Sequence, residues 1–128
     1  MSTIFSKIIS GEIKGYKIYE DEFVCAFLDV KKKKKGHTLV VPKQEVDDMF
    51  MLDEKMYDHV MHRVRYVAQI LKAKLNCARV CVFVEGYVIP HAHVHLVPTN
   101  APEDFDKKFA HPATEQELEE VHNLLTHS

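Results

Sequence analysis

The spacing of apolar positions changes several times along this chain, and each change predicts an element. Ile4, Phe5, Ile8 and Ile9 form a short apolar segment that predicts one or two helical turns, broken by Gly11 and Gly15. Tyr16 to Tyr19 predicts a short strand, followed by an acidic turn at Glu20-Asp21-Glu22. Phe23 to Val30, rich in β-branched and aromatic residues, predicts a second strand, and Lys31 to Lys35 interrupts it. Thr38 to Val41 predicts a third, stopped by Pro42. Between Asp53 and Leu75 the period changes: Met56, Val60, Val64, Val67, Ala68, Leu71 and Leu75 recur at steps of mostly three and four, which places them on one stripe of a long helix capped by Asp53. Val80 to Val84 is continuously apolar and predicts a strand buried on both faces. After Gly86 a strand is expected over residues 91–97, ended by Pro98. Ala101 to Pro112 is polar and irregular. Thr114-x-x-Glu117 matches a capping box and opens a C-terminal helix through Leu118, Val121 and Leu125.

Strands, a long helix, then strands again predict an α+β fold: an antiparallel sheet of about five strands with one long helix packed on it and a C-terminal helix. A length of 128 residues suits one domain, with its core over about residues 4–98 and an extension over 99–128. The formal charge of −2 exerts no global pull toward nucleic acid or anionic membrane, so neither is an expected partner. No apolar run approaches a membrane span, and the N-terminus lacks the apolar stretch of a signal peptide. Cys25, Cys77 and Cys81 sit in apolar surroundings, as expected of buried thiols in a reducing compartment. A cytoplasmic location is therefore expected, with the Lys31–Lys35 run admitting nuclear import.

The chemistry concentrates in His91-Ala92-His93-Val94-His95-Leu96-Val97. On a strand, alternate side chains share a face, so the three imidazoles line one side while Ala92, Val94 and Leu96 point into the core. Neighbouring histidines then start roughly 6.6 Å apart at their α-carbons. Three uses fit such a row. Alternate histidines can share a zinc ion. A neutral imidazole can attack phosphorus while its neighbours hold oxygens and protonate the leaving group. The third possibility is a set of edge-strand surface histidines without a role.

The run fits His-φ-His-φ-His-φ-φ (φ apolar) and resembles the signature of the histidine triad family of nucleotide hydrolases and transferases. Ile4 to Ile13, Ala26 to Val30 and Gly36 to Lys43 resemble the family's other blocks in the same order. The resemblance implies a nucleotidylated nucleophile at His93, a phosphate contact and leaving-group donor at His95, an orienting residue at His91, and a fourth active-site histidine at His37. It implies a ribose-holding carboxylate at Asp29 and an apolar base slot from Phe5, Ile8, Phe27 and Val30. It also implies a purine nucleotide substrate, phosphoramidates first and dinucleoside polyphosphates second, and a homodimer formed through the long helix and a strand.

Two departures accompany it. Val84 to Pro90 is shorter than the family's glycine-rich loop and puts Tyr87 and Val88 where an amide and a hydroxyl are usual, which favours slow turnover or a nucleotide-binding role with little catalysis. The cysteines and histidine that hold a structural zinc in some members are replaced by Thr3, Ser6 and Gln44–Glu45, so no metal and no cofactor are expected. Lys31 to Lys35 is expected to be a solvated loop, or else an electropositive lip beside Asp29.

Overall fold

The computed structural model describes residues 3–30, 35–105 and 112–127. The Lys31–Lys34 part of the basic run, and His111, lie outside them. Five strands form one sheet: β1 (Lys17–Glu20), β2 (Val24–Leu28), β3 (Thr38–Pro42), β4 (Arg79–Val84) and β5 (Val94–Thr99), ordered β1-β2-β3-β5-β4 with every pair antiparallel. Three helices accompany them: α1 (Ile4–Ser10), α2 (Glu54–Leu75) and α3 (Glu115–Thr126).

Side-chain alternation divides the sheet into two faces. Val24, Ala26 and Leu28 of β2, Val40 of β3 and Val94 and Leu96 of β5 join Val60, Val64, Val67 and Leu71 of α2 in the main core. Leu118, Val121 and Leu125 bring α3 onto the same side. The intervening residues Cys25, Phe27, Leu39 and Val41 face α1, where Phe5 closes a smaller cluster flanked by Ile8, Ile9 and Ile89. Asp53 caps α2 by accepting from the Met56 N–H at 2.8 Å, and Asn76 ends it in the left-handed conformation. Thr114 and Glu117 form the expected capping box of α3. Gly36 has φ +86°, and a Cβ there would sit 2.4 Å from Leu75 Cδ1. The turn leading to His37 is therefore packed against the end of α2, and its left-handed backbone favours glycine.

A polar knot joins the β1–β2 turn to α2. Asp21 Oδ1 accepts from the Phe23 and Val24 N–H groups, while Oδ2 accepts from Tyr19 Oη at 2.6 Å and His59 Nε2 at 2.9 Å. Burial pushes the Asp21 carboxyl pKa up, but the hydrogen bonds from Tyr19, Phe23, His59 and Val24 outweigh it and hold the group at about 2.

Two expectations about the strands require correction. Val80–Val84 is not a strand buried on both faces. It is edge strand β4, with Val82 45% and Val84 42% exposed, and only β5 lies beside it. The histidine strand begins at Val94 rather than His91, and it continues through Pro98 to Thr99. The His91 N–H turns back to the Ile89 carbonyl and the Ala92 N–H goes to Val46 O at 2.6 Å, which removes both from the β3–β5 ladder. Pro98 is tolerated because β3 pairs with β5 only from Val94 to Leu96, leaving β4 as the sole neighbour beyond. The face assignment still holds: Ala92, Val94 and Leu96 are all in the α2-side core.

Cys25 and Cys77 are buried and Cys81 is half-buried, all as free thiols, and burial raises the Cys25 thiol to about 11. Among the described residues no helix is long and apolar enough to cross a membrane.

Candidate active site

The histidines lie where β5, β3 and the N-terminus of α1 meet, and each is held by a different bond. His91 is fully buried. Its Nε2 lies 2.8 Å from the Pro42 carbonyl, which only accepts, so Nε2 carries the proton. Its Nδ1 is then left to accept from the Thr3 hydroxyl at 3.2 Å. Thr3 is also the N-cap of α1, taking the Ser6 N–H, so one hydroxyl ties the helix start to His91. With both ring nitrogens engaged, His91 is an anchor.

His93 is 5% exposed. Its Nδ1 donates to the His91 carbonyl at 2.7 Å. A carbonyl demands the proton on Nδ1, so the neutral ring carries its lone pair on Nε2, which makes no hydrogen bond among the described residues. The ring stands edge-on to Phe5 at 4.9 Å and to His95 at 4.8 Å between centroids. His95 Nδ1 lies 3.0 Å from Nε2 of buried His37, and the Asp29 carboxylate is 3.7 Å from that same His37 nitrogen. The nearby carboxylate favours a proton on His37 Nε2, which then donates to His95 Nδ1 and leaves His95 an N–H at Nε2. His95 also stacks flat on Phe83 of β4, with centroids 4.1 Å apart and planes 6° from parallel. Taken together, one buried imidazole presents a lone pair and its neighbour presents an N–H. That is the pairing a nucleophile and a general acid need.

The histidines of the strand row do not converge on a common point suited to a metal ion, since His91 and His93 spend their facing atoms on carbonyls. Among the described residues, the group whose ligand atoms do converge is Asp29, His37 and His95, all within 4.8 Å of one another.

Comparison with known proteins agrees with this architecture. The HIT domain family matches residues 10–101. The chain belongs to the HIT domain family. "Protein hit" of Bacillus subtilis (strain 168) is 35% identical over 100 residues, covering 74% of this chain and 69% of that protein. Adenosine 5'-monophosphoramidase hnt1 of Schizosaccharomyces pombe is 30% identical over 99 residues, covering 77% and 74% respectively. The crystal structure of a hypothetical histidine triad nucleotide-binding protein from Sulfolobus tokodaii strain7 superposes with a TM-score of 0.87 at 28% identity, covering 97% of this chain and 89% of that one.

Within this HIT domain, the four histidines, Asp29, Phe5 and Phe27 cluster on the α1 face. Phe5 and Phe27 are closed against each other at 5.6 Å between centroids, with Ile8 half-buried beside them. Val30 stands apart: it is 51% exposed beyond the end of β2, and its carbonyl accepts from the Ala113 N–H at 2.8 Å. The sequence reading missed three contributors. Phe83 reaches His95 only through the β4–β5 register, which pairs the two directly. Thr3 enters through its capping role. The start of α3 enters through Glu117, Leu118 and Val121, which with Asp29 and His37 line a cavity of about 10 Å³. The Tyr87 side chain is 97% exposed, in the loop before the triad.

Proposed function

We propose that this HIT domain is a nucleotide hydrolase that works through a nucleotidyl-histidine, most readily on purine nucleoside phosphoramidates. The observation that carries the reading is the fixed tautomer of His93: its Nδ1–H is committed to the His91 carbonyl and its Nε2 makes no hydrogen bond among the described residues. The Nε2 lone pair attacks the α-phosphorus, and the P–N bond of the substrate breaks. The leaving amine takes its proton from His95 Nε2, whose far nitrogen is held by His37. Water then attacks the phosphorus of the nucleotidyl-His93 and gives its proton to His95 Nε2, which releases the nucleoside monophosphate and restores both imidazoles. The base lies against the outer margin of the Phe5–Phe27 cluster beside half-buried Ile8, with Val30 left outside the slot, and Asp29 accepts from the ribose hydroxyls. The phosphoramidase named among the relatives supports the choice of an amine leaving group.

His93→Ala is expected to reduce turnover of adenosine 5'-phosphoramidate by at least about 10³-fold without lowering the melting temperature appreciably. Acid quenching of the wild-type protein should yield a mass increase of one nucleotidyl group on His93. Turnover retained by His93→Ala would refute the mechanism. A second reading is a nucleotide-binding module with little catalysis, which Val88 favours because its side chain brings no donor to the phosphate where a hydroxyl is usual. Tight nucleotide binding without turnover would identify it.

We further infer a homodimer joined through α2 and the outer edge of β4, where Val82 and Val84 are exposed beside an unpaired strand edge. Sedimentation of a Val82→Lys variant as a monomer beside a dimeric parent would support it, and a monomeric parent would exclude it.

A further inference from the structure

The first turn of α1 reaches the first two histidines of the triad. Thr3 is the N-cap, and its hydroxyl lies 3.2 Å from His91 Nδ1. Phe5, two residues on, stands edge-on to His91 at 6.0 Å and to His93 at 4.9 Å between centroids. The neighbouring bonds give the Thr3 hydroxyl a direction. Its oxygen accepts from the Ser6 N–H at 3.2 Å, and its proton goes to His91 Nδ1, the nitrogen left unprotonated when Nε2–H donates to the Pro42 carbonyl. Ser6 closes the other half of the capping box. Its hydroxyl accepts from the Thr3 N–H at 2.8 Å and donates to the Thr3 carbonyl at 2.9 Å. The cap and the clasp on His91 therefore share one Thr3 oxygen, while Ser6 serves the cap.

The effect of Thr3 extends past the ring it touches. His91 and Ala92 precede β5 and lie outside the β3–β5 ladder. Their backbone is held instead by the His91 N–H on the Ile89 carbonyl at 2.8 Å and the Ala92 N–H on the Val46 carbonyl at 2.6 Å. The His91 ring is fully buried and is held on its two nitrogens by Pro42 and Thr3. In so close a packing a ring that turns shifts the backbone that carries it. That backbone includes the carbonyl that accepts from His93 Nδ1 at 2.7 Å.

We propose that Thr3 is a positioning residue for the nucleophile, acting through His91. Its hydroxyl locks the His91 ring, the locked residue holds its carbonyl in place, and that carbonyl keeps the His93 proton on Nδ1 and the lone pair on Nε2. The proposal rests on the hydrolase reading above and adds to it a residue that acts at one remove. Without the hydroxyl, a buried Nδ1 loses its donor, and the His91 ring tilts to relieve it. The carbonyl moves with the ring, and the two tautomers of His93 mix. The form protonated on Nε2 has no lone pair there to offer phosphorus.

The test compares Thr3→Val, Thr3→Ser and Ser6→Ala in the full chain, with adenosine 5'-phosphoramidate as substrate. Thr3→Val keeps the branched shape and removes the hydroxyl, so kcat should fall about ten- to a hundredfold with KM within about twofold of the parent. Thr3→Ser restores the hydroxyl and should bring kcat back to within about threefold. Ser6→Ala weakens the same cap and leaves the His91 clasp, so Tm should fall while kcat stays within about threefold. Nitrogen NMR of histidine-labelled protein gives a readout that a merely structural role would not move. The parent and Thr3→Ser should show His91 protonated on Nε2 and His93 on Nδ1, and Thr3→Val should show a mixture at His93. An undiminished kcat in Thr3→Val, an equal fall of kcat in Ser6→Ala, or an unchanged His93 tautomer in Thr3→Val overturns the proposal. So does a parent His91 protonated on Nδ1, which is read without any variant having to fold. If the parent does not turn the substrate over, the hydrolase reading fails separately, and the His93 tautomer in Thr3→Val against Thr3→Ser still decides whether Thr3 positions the ring.

Discussion

The two faces of the sheet use the same strands for opposite purposes. On the α2 side, aliphatic residues fill the space between strands and helices: Val24, Val40, Val60, Val67, Leu71, Val94 and Leu96 have no exposed surface. On the α1 side the interior contains Phe5, Phe27 and four histidines, three of them buried. Aliphatic packing needs only volume and apolarity. A buried imidazole needs a partner for each polar nitrogen, and the partners chosen set which nitrogen keeps its lone pair. The α2 face is therefore purely a packing face, and the α1 face is the one to which the proposed chemistry is assigned. His93 shows the distinction at one residue: its neighbours in sequence, Ala92 and Val94, are core residues, while its own Nε2 makes no hydrogen bond among the described residues.

That contrast can be broken from the α2 side with the largest effect. Leu71→Ala removes a fully buried side chain from the main core and should cost about 2–5 kcal/mol of unfolding free energy by denaturant titration, with kcat at a temperature where the variant is folded nearly unchanged. A comparable loss of kcat would show that the two faces are not separable.

A smaller effect is expected at the Asp21 knot, which fastens the β1–β2 turn to α2. Its carboxyl is held at about 2 in the folded chain against about 3.9 in the unfolded one, so its stabilisation is fully present above the unfolded value and is lost as pH falls through the folded one. Unfolding free energy should decline between about pH 4 and pH 2, and Asp21→Asn should remove that part of the decline while costing about 1–2 kcal/mol at neutral pH. An unchanged acid profile in Asp21→Asn would show that the knot is not the linked group.

The smallest effect sharpens the comparison on the α1 side. Phe83 stacks on His95 from the edge strand and acts through it as a positioning residue. Phe83→Leu should lower kcat about three- to tenfold, the equivalent of about 0.5–1.5 kcal/mol of ring stacking, and shift the limb of the pH–rate profile that reports His95. Phe83→Tyr should restore both. Loss of stability without a change in the pH profile would reduce Phe83 to ordinary packing.

Much of this was legible in the chain. The three-and-four spacing from Met56 to Leu75 marked α2 because a helix can bury one stripe only. Thr114 and Glu117 marked the start of α3 because the capping box is local. The row His91, His93, His95 announced a shared face and, with the blocks around it, the family. Apolarity alone did not reveal that Val80–Val84 would be an edge, since a run of valines looks the same whether one neighbour or two lie beside it.

What the sequence determined by itself was the set of elements, the alternation that splits the sheet, and the identity of the imidazoles, because each depends on residues a few positions apart. Tertiary structure decided what each imidazole does. Pro42, Thr3, His37, Asp29 and Phe83 come to the triad from four other segments, and a ring nitrogen's role is set by whichever atom arrives beside it, which no local pattern encodes.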